Sequence, residues 1–405
     1  MESFTPNELA EALRAIDSTI RKCEKVLPKL KEGTSQHTLL IRRIKALRIS
    51  SSLIEKEMNT EKQIKTLFTD WNKNQSFSGV FSVRSKDRVI FEQAAGQRNK
   101  AEQLPNRPDT AFGIASGTKF FTELAVCILI DQGKLALDDC IGEILPFDLK
   151  RINPEITVRH LLTHTSGIGD YIDEETSDDY SDMNALYDKY PVYHWNSLAY
   201  YLPMFHELPA KFSPGERFGY SNAGFILLGL IIERISGMDY HQYVTEHIIK
   251  PCQLTHTGFY RMDRLPGNTA LGYCYDENKK EWYSNMFSLP VIGGSDGGIF
   301  TCAEDLNRLW RCVMECRLFS NEMKQAFFTP QVKSSEKNPQ LHCGLGVFVY
   351  EDQGRQVYYA VGGDFGIDFF TAYVPDLDLV VSALGNTEMN TGGLLKKVFE
   401  ELRGV

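Results

Sequence analysis

Extended segments lie towards the two ends of this chain, and the stretch between them is helical. Phe81-Ser82-Val83-Arg84 and Arg88-Val89-Ile90-Phe91-Glu92 have the apolar, β-branched and aromatic content of strands, joined at Ser85-Lys86-Asp87 as a hairpin. The same signature returns far downstream in Gly346-Val347-Phe348-Val349-Tyr350, Tyr358-Tyr359-Ala360-Val361, Phe369-Phe370-Thr371-Ala372-Tyr373-Val374 and Leu379-Val380-Val381-Ser382-Ala383-Leu384. Between them, Phe121, Leu124, Ala125, Ile128 and Leu129 mark a buried helix over 120–133, and the run from Ala223 to Ile232 marks another. Residues 154–168 open with turn chemistry and continue as a third helix ending near Gly167, and 391–402 read as a closing one. Strands at both ends around a helical middle predict one antiparallel sheet built from both halves of the chain, an α+β architecture.

Ahead of the first strands, residues 7–58 read as a helical hairpin. Leu9, Leu13, Ile16, Ile20, Cys23 and Leu27 form one apolar face, Pro28 and Gly33 bracket the break, and Thr34 or Ser35 caps a second helix with Leu40, Ile44, Leu47 and Ile54. A further helix is expected from Thr60 to about Asn74, so the predicted units are a hairpin, 1–59, and a body, 60–405. The hairpin is expected to pack on the body or to pair subunits, because two short helices bury little core alone. The 405 residues carry a net charge of −9, which argues against nucleic acid as a partner. No apolar run reaches the length of a membrane span, and the N-terminus lacks the basic and apolar regions of a secretory signal. With nine scattered Cys and no C-x-x-C pair, the expectation is a cytoplasmic, reduced protein.

Gly113-Ile114-Ala115-Ser116-Gly117-Thr118-Lys119 places a Ser and a Lys three residues apart at the start of a buried helix. Positions i and i+3 share a helix face, and a desolvated Lys loses its proton more readily, so Lys119 is placed to activate Ser116. Tyr220-Ser221-Asn222 supplies a phenol to carry protons and an amide to orient a carbonyl. Both patterns have second copies, Ser334-Ser335-Glu336-Lys337 and Tyr283-Ser284-Asn285, each in a polar setting that reads as surface. His160 and His164 beside Asp170 suggest a Ser-His-Asp arrangement, yet their spacing near a helix end reads as scaffold. Leu161 stands where H-E-x-x-H would need Glu, and the glycine run 293–298 lacks the Lys-Ser/Thr of a phosphate loop, so neither metal nor cofactor is expected. Cys312 and Cys316 read as buried thiols. Asp305 reads as exposed on its helix, with Thr301 and Glu304 as a capping box. Residues 170–215, acidic and then aromatic, read either as a cleft wall or as a surface excursion.

From about Ser78 onward the chain resembles the serine β-lactamase superfamily, on the branch of class C β-lactamases, D-Ala-D-Ala carboxypeptidases and family VIII esterases. The matching stretches fall in the family's order: Ile114 to Lys119, Arg159 to Gly167, Tyr220 to Gly224, Gly297 to Leu306, and Gly362-Gly363-Asp364-Phe365-Gly366. The resemblance implies a β-lactamase/penicillin-binding-protein-like domain with a helical subdomain. It implies Ser116 as nucleophile, Lys119 and Tyr220 sharing acid and base work, and Asn222 orienting the substrate. The backbone N–H groups of Ser116 and Gly363 would form the oxyanion hole, with Gly362 beside them. Whether Lys119 or Tyr220 is the acylating base stays open at this level.

One departure shapes the expected specificity. Where the family has Lys-Thr-Gly or His-x-Gly, this chain has Ala360-Val361-Gly362. That cation ordinarily helps to hold the carboxylate of a penicillin or a peptide C-terminus, and its loss removes roughly 1.5–3 kcal/mol of binding. Asp364 and Asp368 near a pocket mouth would repel a carboxylate further. The expected activity is therefore a serine hydrolase of ester or amide bonds, esterase- or D-aminopeptidase-like, acting on small molecules or short peptides, with weak or absent β-lactamase activity. The alternative is a degenerate member that binds a peptide or cell-wall fragment without turnover.

Overall fold

The computed structural model describes residues 6–73, 75–86, 88–175 and 181–401. Its centre is an eight-stranded sheet. Strands β1 (Gly79–Arg84) and β2 (Val89–Ala95) come from the front of the chain. Strands β3 (Val332–Lys333), β4 (Leu341–Cys343), β5 (Phe348–Asp352), β6 (Arg355–Asp364), β7 (Ile367–Val374) and β8 (Leu379–Gly385) come from the back. The spatial order is β2-β1-β8-β7-β6-β5-β4-β3, antiparallel throughout. The two halves join where β1 pairs with β8, with Phe81 opposite Ala383 and Val83 opposite Val381. Asp87 of the expected β1–β2 turn lies outside the described residues.

Alternation along these strands splits the core into two layers. Phe81, Val83, Phe370, Ala372, Val381 and Ala383 face one way, onto Leu67, Phe68, Leu394 and Val398. Val80, Phe369, Tyr373, Val380 and Leu384 face the other, into the larger cluster with Phe120, Phe121, Phe225 and Trp310. The first layer is covered by helix α2 (Ser35–Asn72) and by α6 (Thr391–Glu401). The second holds α3 (Thr118–Asp131), α4 (Asn222–Ser236) and α5 (Ala303–Met314). Each fully buried apolar or aromatic side chain contributes about 1.5–3 kcal/mol to this packing. No helix among the described residues is long and apolar enough to cross a membrane.

The hairpin is helix α1 (Pro6–Val26) against the first half of α2. Leu9, Ile20, Cys23 and Ile44 are buried between them, Thr34 caps α2 through the His37 N–H, and Arg48 pairs with Glu24 at 2.6 Å. The two helices expected on either side of residue 60 are one helix. Nothing between Ser35 and Asn72 breaks it, since neither Gly nor Pro occurs there, and its second half is held by Ile64, Leu67, Phe68 and Trp71 in the sheet's core. Phe68 stacks on Phe81 at 4.9 Å, and the Trp71 indole N–H donates to the Asn390 carbonyl. The predicted 59/60 boundary thus falls inside a continuous helix.

Three local expectations are corrected. The helix expected over 154–168 is only Val158–Leu162, because His164 takes a positive φ of 55° and turns the chain. Helix α5 starts at Ala303 without a side-chain cap: Thr301 lies in a short strand, and its hydroxyl bonds that of Thr257. Asp305 is buried, not exposed, because the 256–257 turn packs on the first turn of α5. Its carboxylate accepts from the His256 N–H at 2.7 Å and the Thr257 hydroxyl at 2.8 Å.

Candidate active site

Ser116 sits in a tight turn, Ala115–Gly117, that feeds directly into α3. Ala115 holds φ at 44°, a left-handed conformation that costs a non-glycine residue about 1–3 kcal/mol and must be imposed by its surroundings. They do so through hydrogen bonds: the Ala115 carbonyl accepts from the Thr118 hydroxyl at 2.7 Å and the Gly298 N–H at 3.3 Å, while Thr118 Oγ1 accepts from the Ile299 N–H. The turn leaves Ser116 part-exposed on a cleft of about 1020 Å³, with Lys119 buried one turn behind it.

Lys119 gathers the site. Its Nζ lies 3.0 Å from Ser116 Oγ and donates to Asn222 Oδ1 at 2.7 Å and to the Asp296 carbonyl at 2.8 Å. Burial lowers its proton affinity below the ordinary lysine range, and the carboxylates of Asp296, Glu174, Asp170 and Glu123 offset part of that. The Tyr220 ring lies under the same amine, 4.9 Å from Nζ to centroid, and its phenol is hydrogen-bonded to Ser116. Burial holds that phenol well above the ordinary tyrosine range, so it keeps its proton. Ser116, Lys119, Tyr220 and Asn222 are therefore brought together as the sequence predicts.

The two histidines take other places. His164 is buried and neutral, since burial and the nearby Lys119 and Lys211 hold its pKa well below the ordinary value. Its ring stacks on Tyr220 at 4.6 Å and on Phe225 at 4.9 Å, and its Nδ1 accepts the Ser221 N–H. It forms a platform for Tyr220. His160 closes a capping box with Thr157. Asp170 caps α4 instead of meeting a histidine: its carboxylate accepts from the Asn222 N–H at 2.6 Å and from the Ala223 N–H, which fixes the position of Asn222. Burial pushes Asp170 up to about 6 even so.

Gly362 and Gly363 sit on β6 beside the Ser116 turn, and only the first is sterically obligatory. A Cβ on Gly362 would fall 2.1 Å from the Ile114 carbonyl and 3.0 Å from the Ser116 nitrogen, whereas one on Gly363 meets nothing within 4 Å. The two-residue turn Phe365–Gly366 closes with Asp364 opposite Ile367. Such closing pairs exchange both backbone bonds, and by alternation Gly363, opposite Asp368, turns its N–H away from β7 to the strand edge that passes Ser116.

Sequence reading missed Asp296. The run Gly293 to Gly298 reads as a flexible turn, but it lays the Asp296 carbonyl on Lys119 and the Ser295 carbonyl on the Thr122 hydroxyl. The available signal was an Asp embedded among glycines. The second copies behave as expected in part. Tyr283 is exposed on a two-stranded ribbon; Lys337 is exposed, though Ser334 reaches the cleft rim. Cys312 is buried and Cys316 part-exposed. Within 170–215, Asp170 to Glu174 line the cleft, and 176–180 lie outside the described residues.

A substitution pair checks the steric assignment. Gly362→Ala should lower the denaturation midpoint by an overpacking cost of about 1–3 kcal/mol, and Gly363→Ala should leave it unchanged in urea titrations. Equal effects would show that the close approach at Gly362 is not the constraint.

Comparison with known proteins follows the same geometry. A family model described as Beta-lactamase matches residues 56–397. Penicillin-binding protein 4* of Bacillus subtilis (strain 168) is 27% identical over 286 residues, covering 68% of this chain and 60% of that protein, so the chain spans less than two thirds of this curated relative. The crystal structure of a penicillin-binding protein from Bacillus halodurans superimposes with a TM-score of 0.76 at 37% identity, covering 83% of this chain and 99% of that one. An octameric penicillin-binding protein homologue from Pyrococcus abyssi matches at 25% identity and a TM-score of 0.69 over 81% of this chain and 73% of that one. With its sheet, its Ser-Lys turn and a family match over most of its length, the chain belongs to the Beta-lactamase family of serine hydrolases.

Proposed function

We propose that Ser116 attacks ester or amide carbonyls and forms an acyl-enzyme, with a preference for neutral or amine-bearing substrates over β-lactams. The observation that carries this reading is the buried Lys119 amine 3.0 Å from a cleft-exposed Ser116 Oγ. Neutral Lys119 accepts the Ser116 proton as Oγ bonds the carbonyl carbon, and the oxyanion is taken up by the N–H groups of Ser116 and Gly363. The opposite directions of the two shifts, Lys119 down and Tyr220 up, support the lysine as the acylating base. The phenol carries the proton on to the leaving group, and the same groups activate water to release the acid. Asn222, held by Asp170 and Lys119, orients the substrate.

The cleft supports the preference. Asp170, Asp173, Glu174, Asp296, Asp364 and Asp368 line it, and no Lys, Arg or His is among its lining residues. Asp368 is engaged in holding the start of α6, accepting from the Met389 and Thr391 N–H groups and the Thr391 hydroxyl. Asp364 is left to face the substrate, and at the third motif Ala360 is buried while Val361 offers only a methyl surface. A carboxylate finds no cation here.

A fluorophosphonate probe tests the nucleophile by mass spectrometry: the wild type should be labelled once, and Ser116→Ala not at all. An unlabelled wild type would favour a binding protein without turnover. The pH profile tests the base. kcat/KM should rise as Lys119 loses its proton, with an apparent pKa below the ordinary lysine value. Because the Asp296 carboxylate raises that pKa, Asp296→Asn should move the acid limb to lower pH; an unmoved or upward-shifted limb would remove Lys119 from that role.

We infer in addition that the hairpin serves self-association. Ile41, Ile49 and Leu53 of α2, at 45%, 53% and 62% exposure, line a groove of about 630 Å³ with Leu27, just past the end of α1, an exposed apolar patch of the kind that marks an interaction surface. Removing residues 1–59 should lower the number of chains per particle, the light-scattering mass divided by the mass of one truncated chain, and leave turnover per Ser116 unchanged. An unaltered number of chains would refute the assignment.

A further inference from the structure

A second, smaller cavity of about 60 Å³ adjoins the Ser116 cleft. Tyr171, Ile172, Asp296, Gly297 and Asp364 line both spaces, so the two meet across these residues. The remaining walls combine the aromatic side chains of Tyr187, Trp195, Tyr201, Tyr260 and Phe300 with aliphatic and glycine residues. The rings stand edge to face. Trp195 meets Tyr201 at 4.9 Å and 69°, Tyr171 meets Tyr201 at 5.7 Å and 66°, and Tyr187 meets Trp195 at 5.8 Å and 75°. Near-perpendicular rings make a box with π faces on adjacent walls, and the two carboxylates stand at its mouth.

The chemistry of this box selects a cation. Aromatic faces attract ammonium groups through the ring quadrupole, and carboxylates accept their N–H bonds. Among the described residues no Lys, Arg or His lines the cavity, and the cation that acts on Asp296 is Lys119 on the cleft side. Asp296 is bonded by the Tyr171 hydroxyl, and Asp364 by the Phe365 N–H. Burial and the neighbouring charges of Asp296 and Glu174 push Asp364 up to about 7, a strain that an incoming positive charge relieves. The small volume limits the guest to a short chain of a few heavy atoms.

We propose that this aromatic cavity is the specificity pocket of the enzyme and takes a short primary alkylammonium group of the substrate, bound by Asp296 and Asp364 and walled by Tyr171, Trp195, Tyr201 and Tyr260. The assignment deepens the hydrolase reading and rests on it only for what happens at Ser116. It places the positively charged end of an aminoacyl or aminoalkyl ester or amide on the far side of Asp296 and Asp364 from the cleft, with the reacting carbonyl left at the serine.

Binding separates this idea from the hydrolase reading. Calorimetric titration of the Ser116→Ala protein with n-butylammonium and with 1-butanol, its neutral counterpart, requires no turnover. The ammonium should bind at least about tenfold more tightly, the scale of one charge-assisted hydrogen bond. It should also change the fluorescence of Trp195, a signal that Trp195→Phe removes. Asp364→Asn, close to isosteric, should bring the two affinities together, and Asp296→Asn should do the same independently, so that misfolding of one variant leaves the other to decide. Equal affinity for the two ligands, no binding of either, or a preference that survives both substitutions would overturn the assignment. An inactive wild type with the ammonium preference intact would sink the hydrolase reading and leave the pocket standing.

Discussion

A buried lysine amine needs acceptors, and the way Lys119 finds them organises the catalytic half of this protein. Its own helix supplies Ser116, the start of α4 supplies Asn222, and the glycine-rich turn supplies the Asp296 carbonyl. These three segments are remote in sequence, and each is independently fixed. Thr118 and Gly298 lock the Ser116 turn, Asp170 and Ser221 cap α4, and the Ser295 carbonyl is tied to Thr122. The amine thus meets preset partners, and its proton affinity is set by burial against the surrounding carboxylates.

The sheet contributes the remaining wall, and it does so by close approach. Gly362 lets β6 come against the Ser116 turn where any side chain would strike the Ile114 carbonyl. That contact holds only if β6 is rigid, and β6 is rigid because β7 and β8 bind it to β1 from the other end of the chain. Helix α2 then ties the hairpin to the opposite face of the same sheet through Ile64, Leu67, Phe68 and Trp71. Strand pairing between chain ends, helix anchoring and nucleophile geometry are one connected structure.

The described lining of the cleft is acidic. Replacing the third-motif cation with Ala360 removes one attractive group, and the fold adds acids around the space it leaves. Asp368 is absorbed by the start of α6, whereas Asp296 and Asp364 stand between the cleft and the aromatic box. Asp296, which moderates Lys119, is thus also one of the two acids on which the proposed substrate preference rests.

Much of this was legible in the residues. Periodicity located most of the core helices and strands, helix spacing put Ser116 beside Lys119, and the family resemblance carried by the ordered motifs pointed to Tyr220, Asn222 and the Gly362–Gly363 pair, which the fold brings to the same cleft. His164 could be set aside as scaffold from its spacing near a helix end. What sequence could not show depended on which segments meet. Asp296 looked like part of a flexible turn until its carbonyl met Lys119. Asp305 looked exposed until the 256–257 turn covered it, and Thr301 looked like a cap until its hydroxyl paired with Thr257. The unbroken α2 needed the sheet beneath its second half to be recognised. The sequence by itself determined the Ser116–Lys119 pairing proposed as nucleophile and base and the α+β architecture, since spacing and alternation act over a few residues. Only the tertiary structure decided the proton affinities and the acidic, aromatic character of the pocket, because burial and charge proximity arise from side chains that are far apart along the chain.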